Sequence, residues 1–86
     1  MTNATYTDYP FTANGINFIS RVVNDSPMGK TISRLPETVF SQMNIQAVSE
    51  IIGDASLLTH DELVSELERI NAGGSQAFIL LDEENN

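Results

Sequence analysis

The sequence contains no cysteine and no tryptophan, and only one histidine and four basic residues. Without cysteine the chain forms neither disulfides nor thiolate metal sites, the two supports that small domains most often use. No apolar run approaches the ~18 residues that span a bilayer, and the amino terminus lacks the basic and apolar segments of a signal peptide. These absences predict a cytoplasmic protein, without membrane contact, whose fold depends on hydrophobic packing.

The length of 86 residues predicts a single domain over residues 1–86, with a polar tail at 82–86 that we expect to fray. The apolar fraction is 41%, which is close to the value of globular proteins and predicts a packed core. A domain of this size leaves little room for an enclosed active site.

The net charge of −8 argues against nucleic acid or an anionic membrane as a direct ligand, because phosphate binding depends mainly on lysine and arginine. A basic protein surface, or the nucleic-acid channel of another protein, is the partner that this charge favours. We also leave open a homodimer.

The first third of the chain predicts a hairpin. Asn14-Gly15 separates two runs rich in aromatic and β-branched residues, and such a pair favours a type I′ turn. Pro10 lacks an amide proton, so its strand should lie at a sheet edge or begin after it. Turn-forming residues at 24–29 follow, and Lys30 to Leu35 is predicted as a short third strand.

Two helices and a last strand complete the pattern. Apolar residues at spacings of three and four predict a helix from Pro36 that ends at Gly53, with a break at Asn44 as an alternative; this stripe consists of Val39, Phe40, Met43, Ala47, Val48, Ile51 and Ile52. Thr59 and Glu62 form a capping-box pattern that starts a second helix at His60, with Leu58 and Leu63 as a hydrophobic staple. The apolar run 76–81 predicts a strand covered on both faces and central in the sheet.

The predicted order is β-β-β-α-α-β. It corresponds to an α+β two-layer sandwich, with a small, mainly antiparallel sheet and two helices on one face.

Catalytic and cofactor sites are weakly indicated. Residues 24–31 end in Gly-Lys-Thr but lack the first glycine of a phosphate-binding loop, so a turn between strands is the favoured interpretation. A lone histidine, His60, is a poor metal ligand without further histidine or cysteine, and we predict it to be an exposed first-turn residue. We expect no cofactor, no metal and no enzymatic activity.

Charge is distributed unevenly along the chain. Residues 1–36 hold two acids and three basic residues, a sum of +1, whereas residues 37–86 hold ten acids and one arginine, a sum of −9. We predict that the acids of the second helix, the turn before it and the chain end form a partner-binding surface, unless they serve only as a solvated face: Asp54, Asp61, Glu62, Glu66, Glu68, Asp82, Glu83 and Glu84. Tyr6, Tyr9 and Phe11 are the candidate apolar anchors, although aromatic residues of an edge strand usually belong to the core.

These features favour a non-enzymatic inhibitor that occupies a basic, nucleic-acid-handling surface of a partner. In size, acidity and lack of cysteine, the chain is similar to the small acidic inhibitors of bacteriophages and mobile elements, such as antirestriction and anti-CRISPR proteins. This similarity covers composition and implies no site. The alternative is a structural or assembly module that pairs through a strand edge, for which the strand from Ile16 to Val23 is the candidate, or that forms a homodimer.

Overall fold

A computed structural model of the chain describes residues 5–74 and 76–84. Three strands and three helices follow one another in the order β-β-α-α-α-β. Their bounds are β1 Tyr6–Ala13, β2 Ile16–Val23, α1 Pro27–Ile32, α2 Glu37–Ile51, α3 His60–Asn71 and β3 Ala77–Leu81, with a short 3-10 turn at Ala55–Leu57. The predicted fold class, a small α+β domain with an antiparallel sheet, is confirmed.

The predicted hairpin is also confirmed. Asn14 and Gly15 both have positive φ, 54° and 78°, as a type I′ turn requires. The turn places Ala13 opposite Ile16 and, two residues further, Phe11 opposite Phe18. These side chains point to the same side of the sheet because residues alternate between its two faces.

The sheet order is β1-β2-β3, so the central strand is β2 and the prediction of a central last strand is wrong. The chain returns from α3 and pairs β3 antiparallel with the free side of β2, placing Ser20 opposite Ile79. The apolar character of 76–81 indicated burial, but strand order depends on which edge the preceding helix reaches.

Both outer edges of the sheet are interrupted. The Asn24 amide donates to the Thr5 carbonyl, and the alternation of an antiparallel ladder then turns the nitrogen of Pro10 outward, where no donor is needed. On the other edge, the side-chain amide of Asn71 donates to the Ile79 carbonyl at 2.7 Å and accepts from the Ile79 amide at 2.9 Å. Asn71 therefore occupies the hydrogen-bonding groups at the middle of β3.

The core lies between the sheet and the helices and consists of two buried clusters. The larger contains Phe11, Ala13, Phe18, Val48, Ala55, Leu63 and Leu67, and the smaller contains Val22, Ile32 and Phe40. Three polar residues, Ser20, Ser26 and Asn44, are also buried. Within the described part of the chain the Nδ2 of Asn44 has no hydrogen-bond partner.

The predicted strand at Lys30 to Leu35 is wrong, because residues 27–32 form α1. Ser26 is the N-cap, and its Oγ accepts the Gly29 amide proton at 2.9 Å, while Pro27 fits the first helical turn. A Cβ on Gly29 would lie 2.2 Å from the Val23 carbonyl oxygen, so glycine allows α1 to approach β2 closely. A Ser-Pro pair is common in turns between strands and also at helix starts.

Helix α2 runs unbroken through Asn44, and Gly53 follows it with φ of 78° as predicted. Its buried line is Phe40, Asn44 and Val48, at a spacing of four. Part of the predicted apolar stripe is exposed instead, at Val39, Met43 and Ile51. The stripe was too wide for one contact with the sheet, and the helix buries the side that carries Phe40.

Helix α3 begins at His60, and both hydrogen bonds of its predicted capping box are present. Leu63 and Leu67 are buried, and Leu58 packs against the same cluster. After β3 the Asp82 amide donates to the Asn17 carbonyl at 3.0 Å. Residues 85 and 86 of the predicted fraying tail lie outside the described residues. No helix in the described ranges is long and apolar enough to cross a bilayer.

Candidate functional site

Helix α3 and the segment after β3 meet where His60 contacts Glu83. Helix α3 packs next to β3, so its amino-terminal turn and the end of β3 meet at one end of the molecule. The clearest link is the 2.7 Å distance between His60 Nε2 and Glu83 Oε1. Glu83 thus lies beside the first turn of α3, whereas Asp82 lines a separate depression with Pro10, Thr12 and Asn17.

The electrostatics of His60 reflect the surrounding acids. The hydrogen bond to Glu83 raises the pKa of His60, and Asp61, whose Oδ1 lies 3.7 Å from Nδ1, adds to the same shift. The imidazole is about 62% exposed, as predicted for a first-turn residue, but it also joins α3 to the segment after β3.

A depression of 320 Å³ lies on the exposed side of α3. Three carboxylates surround it, and Leu58 supplies an apolar side chain; the residues that line it are Leu58, Asp61, Glu62, Ser65 and Glu66. Three of the predicted partner-binding acids therefore share one concave surface.

A groove of 340 Å³ runs between α3 and β3. Apolar residues form most of its lining, namely Val64, Leu67, Ile79, Leu80 and Leu81, with the polar Asn71 among them. The carboxylates of Glu68 and Glu83 also line this groove, one from the helix and one from the chain end. The groove could not be predicted from sequence, because it exists only where α3 and β3 come together. We refer to the depression and the groove together, with their acids, as the acidic surface.

Several of the predicted acids have structural roles. The Thr59 amide donates to Glu62 at 2.9 Å, and this bond lowers the pKa of the Glu62 carboxyl. Glu66 forms an ion pair with Arg69 at 2.5 Å. Asp54 accepts hydrogen bonds from the amide and hydroxyl of Ser56 and so caps the 3-10 turn before α3.

The candidate aromatic anchors do not lie on the acidic surface. Phe11 is buried and stacks on Phe18 with ring centroids 5.4 Å apart. The rings of Tyr9 and Phe40 pack in a T-shaped arrangement with centroids 5.0 Å apart. Tyr6 is 50% exposed, but alternation along β1 turns it to the face of the sheet opposite the helices. The groove, rather than these aromatics, provides apolar area near the acids.

Three of the four basic residues already form ion pairs. Arg21 pairs with Asp8, Lys30 with Asp25 and Arg69 with Glu66. The central position of β2 also changes the edge-pairing hypothesis. The strand from Ile16 to Val23 is paired on both sides and offers no free edge.

The described residues contain no group of three or more His, Asp or Glu side chains placed to hold a metal ion. Exposed carboxylates near one another give the site a negative potential, and the groove adds an apolar surface. Comparisons of the chain with protein-family models, with curated proteins and with solved structures find no match.

Proposed function

We propose that the protein is a non-enzymatic binding protein whose acidic surface occupies a basic surface of a partner protein that handles nucleic acid. The observation that carries this proposal is that His60 joins Glu83 to the first turn of α3, and that Glu68 and Glu83 flank an apolar groove.

The charge distribution supports a basic partner. The chain carries a net charge of −8, and most of its few basic residues are paired with its own carboxylates. A surface of this sign accelerates association with a basic partner and disfavours binding to the phosphates of nucleic acid. Partners that bind nucleic acid carry the basic grooves that such a surface complements.

The groove supports binding energy beyond charge. Exposed ion pairs contribute little affinity, whereas an apolar side chain buried in a groove contributes about 1.5–3 kcal/mol. A partner segment with one apolar side chain flanked by lysine or arginine would fill the groove and meet Glu68 and Glu83 on its rim.

The most specific form of the proposal is an inhibitor that excludes nucleic acid from its partner by occupying the same basic site. Antirestriction and anti-CRISPR proteins act in this general class, and composition is the only property that links the chain to them.

The test compares two triple variants with equal charge change. The site variant is Asp61→Lys, Glu68→Lys and Glu83→Lys, three acids of the acidic surface, and it leaves the capping box and the Glu66–Arg69 pair intact.

The control variant reverses three exposed acids away from the acidic surface at matched structural positions: Glu37→Lys in the first turn of α2, Glu50→Lys late in α2 and Asp25→Lys in a loop. Glu37 corresponds to Asp61 because both lie in a first helical turn, where reversal costs similar dipole energy.

Tagged wild-type protein and both variants are used as bait in bacterial lysate at about 0.05 M and about 0.5 M salt, where the Debye length falls severalfold. We expect basic nucleic-acid-binding proteins to be retained at low salt by the wild type and the control variant, and lost by the site variant. The captured partner is then assayed for nucleic-acid binding with and without the protein. Equal capture by the two variants, or unchanged nucleic-acid binding by the partner, would contradict the proposal.

A further inference from the structure

The face of the sheet opposite the helices carries apolar side chains together with the polar Asp8, Thr12, Asn17 and Arg21. Side chains that alternate away from the core place six apolar residues on this open sheet face: Tyr6, Pro10, Ile19, Val23, Phe78 and Leu80. No described helix packs against this side, since the buried residues of all three helices join the clusters on the other face. The open sheet face is therefore a second surface, on the layer opposite the helices that carry the acids.

The register arranges these residues in rows across the strands. Pro10, Ile19 and Leu80 form one row, and Tyr6 lies opposite Val23 in another. Between these rows, Asp8 and Arg21 form a bidentate ion pair with nitrogen–oxygen distances of 2.8 and 3.0 Å. The apolar residues thus surround a central pair whose two charges cancel.

The sequence of β3 indicates that another molecule packs against this face when the protein functions. An edge strand with one solvated face alternates apolar and polar residues, but β3 is apolar at all five positions, Ala77–Leu81. Ala77, Ile79 and Leu81 pack toward the helices, whereas Phe78 and Leu80 point to the open face. The prediction of a strand covered on both faces is met only if something covers the second face.

We infer that a second copy of this chain covers the open sheet face, forming a two-fold dimer with the sheets packed face to face. In a two-fold interface the same patch meets itself, so each residue set must complement its own image. The Asp8–Arg21 pair meets this condition, because each copy's Arg21 can bind the other's Asp8. A basic partner would gain nothing from a pair with zero net charge.

Both sheet edges are less suited to self-association than the open face. Pro10 removes a donor from the outer edge of β1, and Asn71 occupies both hydrogen-bonding groups of Ile79 on the outer edge of β3. We therefore expect that two copies associate through the open sheet face rather than through a strand edge.

The size of the face predicts a weak dimer. Three strands and about seven residues per strand cover about 14 Å by about 24 Å. Two such faces bury roughly 700–1,000 Å² in total, below the about 1,200 Å² at which stable specific interfaces begin and in the range of weak, transient ones. We therefore expect a concentration-dependent equilibrium rather than a permanent dimer.

The experiment measures the mass of the protein by sedimentation equilibrium from about 10 μM to about 1 mM, a range that brackets a weak dimer. The mass should rise from 9.4 kDa toward twice that value. Asp8→Arg and Arg21→Asp each place two like charges at the centre of the face, and each variant alone should remain monomeric. An equimolar mixture of the two should form a heterodimer, and the double variant D8R/R21D should self-associate again.

Two variants without charge change distinguish self-association through the open sheet face from self-association through any exposed apolar side chain. Ile19→Thr keeps a β-branched residue on β2 and should weaken self-association about tenfold, since it removes buried methyl and methylene groups. Val39→Thr makes the same kind of change on the exposed side of α2 and should leave self-association unaltered. Circular dichroism and thermal unfolding verify that each variant is folded.

A wild-type mass of 9.4 kDa across the whole range would overturn the inference. So would self-association that survives both single charge reversals, or a mixture of the two variants that stays monomeric.

Discussion

Asn71 is predicted to hold the edge of the sheet in place of a fourth strand. Its side-chain amide makes two hydrogen bonds to the backbone of Ile79, one donated and one accepted, across the turn that joins α3 to β3. Asn71→Ala removes both bonds and leaves the Ile79 amide and carbonyl facing outward. The substitution changes only the side chain of Asn71, because both of its hydrogen-bond partners are backbone groups of Ile79.

The magnitude follows from two opposing effects. Two neutral hydrogen bonds contribute about 1 kcal/mol each to the free energy of unfolding. Alanine favours the helix over asparagine by about 0.5 kcal/mol, which offsets part of the loss. The net destabilisation is about 1.5 kcal/mol, which lowers the midpoint of thermal unfolding by roughly 6–12 °C in a domain of this size.

Urea denaturation measures the free energy, and amide hydrogen exchange locates the effect. The Ile79 amide points away from β2, so Asn71 provides its protection, whereas the Phe78 and Leu80 amides point to β2. In Asn71→Ala the exchange of Ile79 should accelerate far more than that of its two neighbours. Ser65→Ala on the exposed side of α3 measures the gain in helix propensity separately.

Two results would refute this reasoning. One is an Ile79 amide that exchanges in the wild type as fast as that of Leu81, which points to the same edge. The other is a change in the free energy of unfolding below about 0.5 kcal/mol, since a bond pair of this kind is expected to contribute more.

Three further predictions concern other parts of the molecule. Gly29→Ala should lower the free energy of unfolding, measured by urea denaturation, by about 3 kcal/mol, because its Cβ would overlap a backbone carbonyl of β2. Gly73→Ala, with open space around the added Cβ, should not destabilise the protein. Asn44→Ala should change the free energy of unfolding by less than about 1 kcal/mol, since the loss of packing is offset by removal of an unpartnered buried donor; a loss above about 2 kcal/mol would contradict this. The pKa of His60, followed by NMR titration, should exceed about 6.5 and return toward it in Glu83→Gln. Because the pKa of His60 is raised in the folded state, the His60–Glu83 pair stabilises the fold fully below pH about 6.5, and this stabilisation is lost as the pH rises through the folded-state pKa. An unshifted pKa of His60 in the wild type would contradict this prediction.

The two proposed surfaces are compatible in one assembly. The open sheet face lies opposite the helices, and the acidic surface lies on α3 and the segment after β3. A dimer through the sheet would leave two acidic surfaces exposed, which increases avidity for a partner that displays two basic sites at a suitable distance. Salt dependence separates the two proposals. Partner binding should weaken with salt, whereas contact between two copies of net charge −8 is opposed by a long-range repulsion that salt screens.

Local physics determined much of this fold from sequence. Asn14-Gly15 fixed the hairpin because few residue pairs accept positive φ at both positions, and Thr59 with Glu62 fixed the start of α3 because its first amides need acceptors. The acids of α3 followed from helical periodicity, since they lie away from Leu63 and Leu67. Each of these features depends on residues a few positions apart.

Tertiary structure decided what local physics left open. Lys30 to Leu35 has no strong preference, and the N-cap at Ser26 together with the close approach of Gly29 to Val23 made the segment around it a helix. The place of β3 at the edge depended on which side of β2 the chain reached after α3. The groove between α3 and β3 and the open sheet face depend on the edge position of β3, because each is built from elements that are distant in sequence. Packing between distant segments is a property of the whole chain, and no short window of sequence contains it.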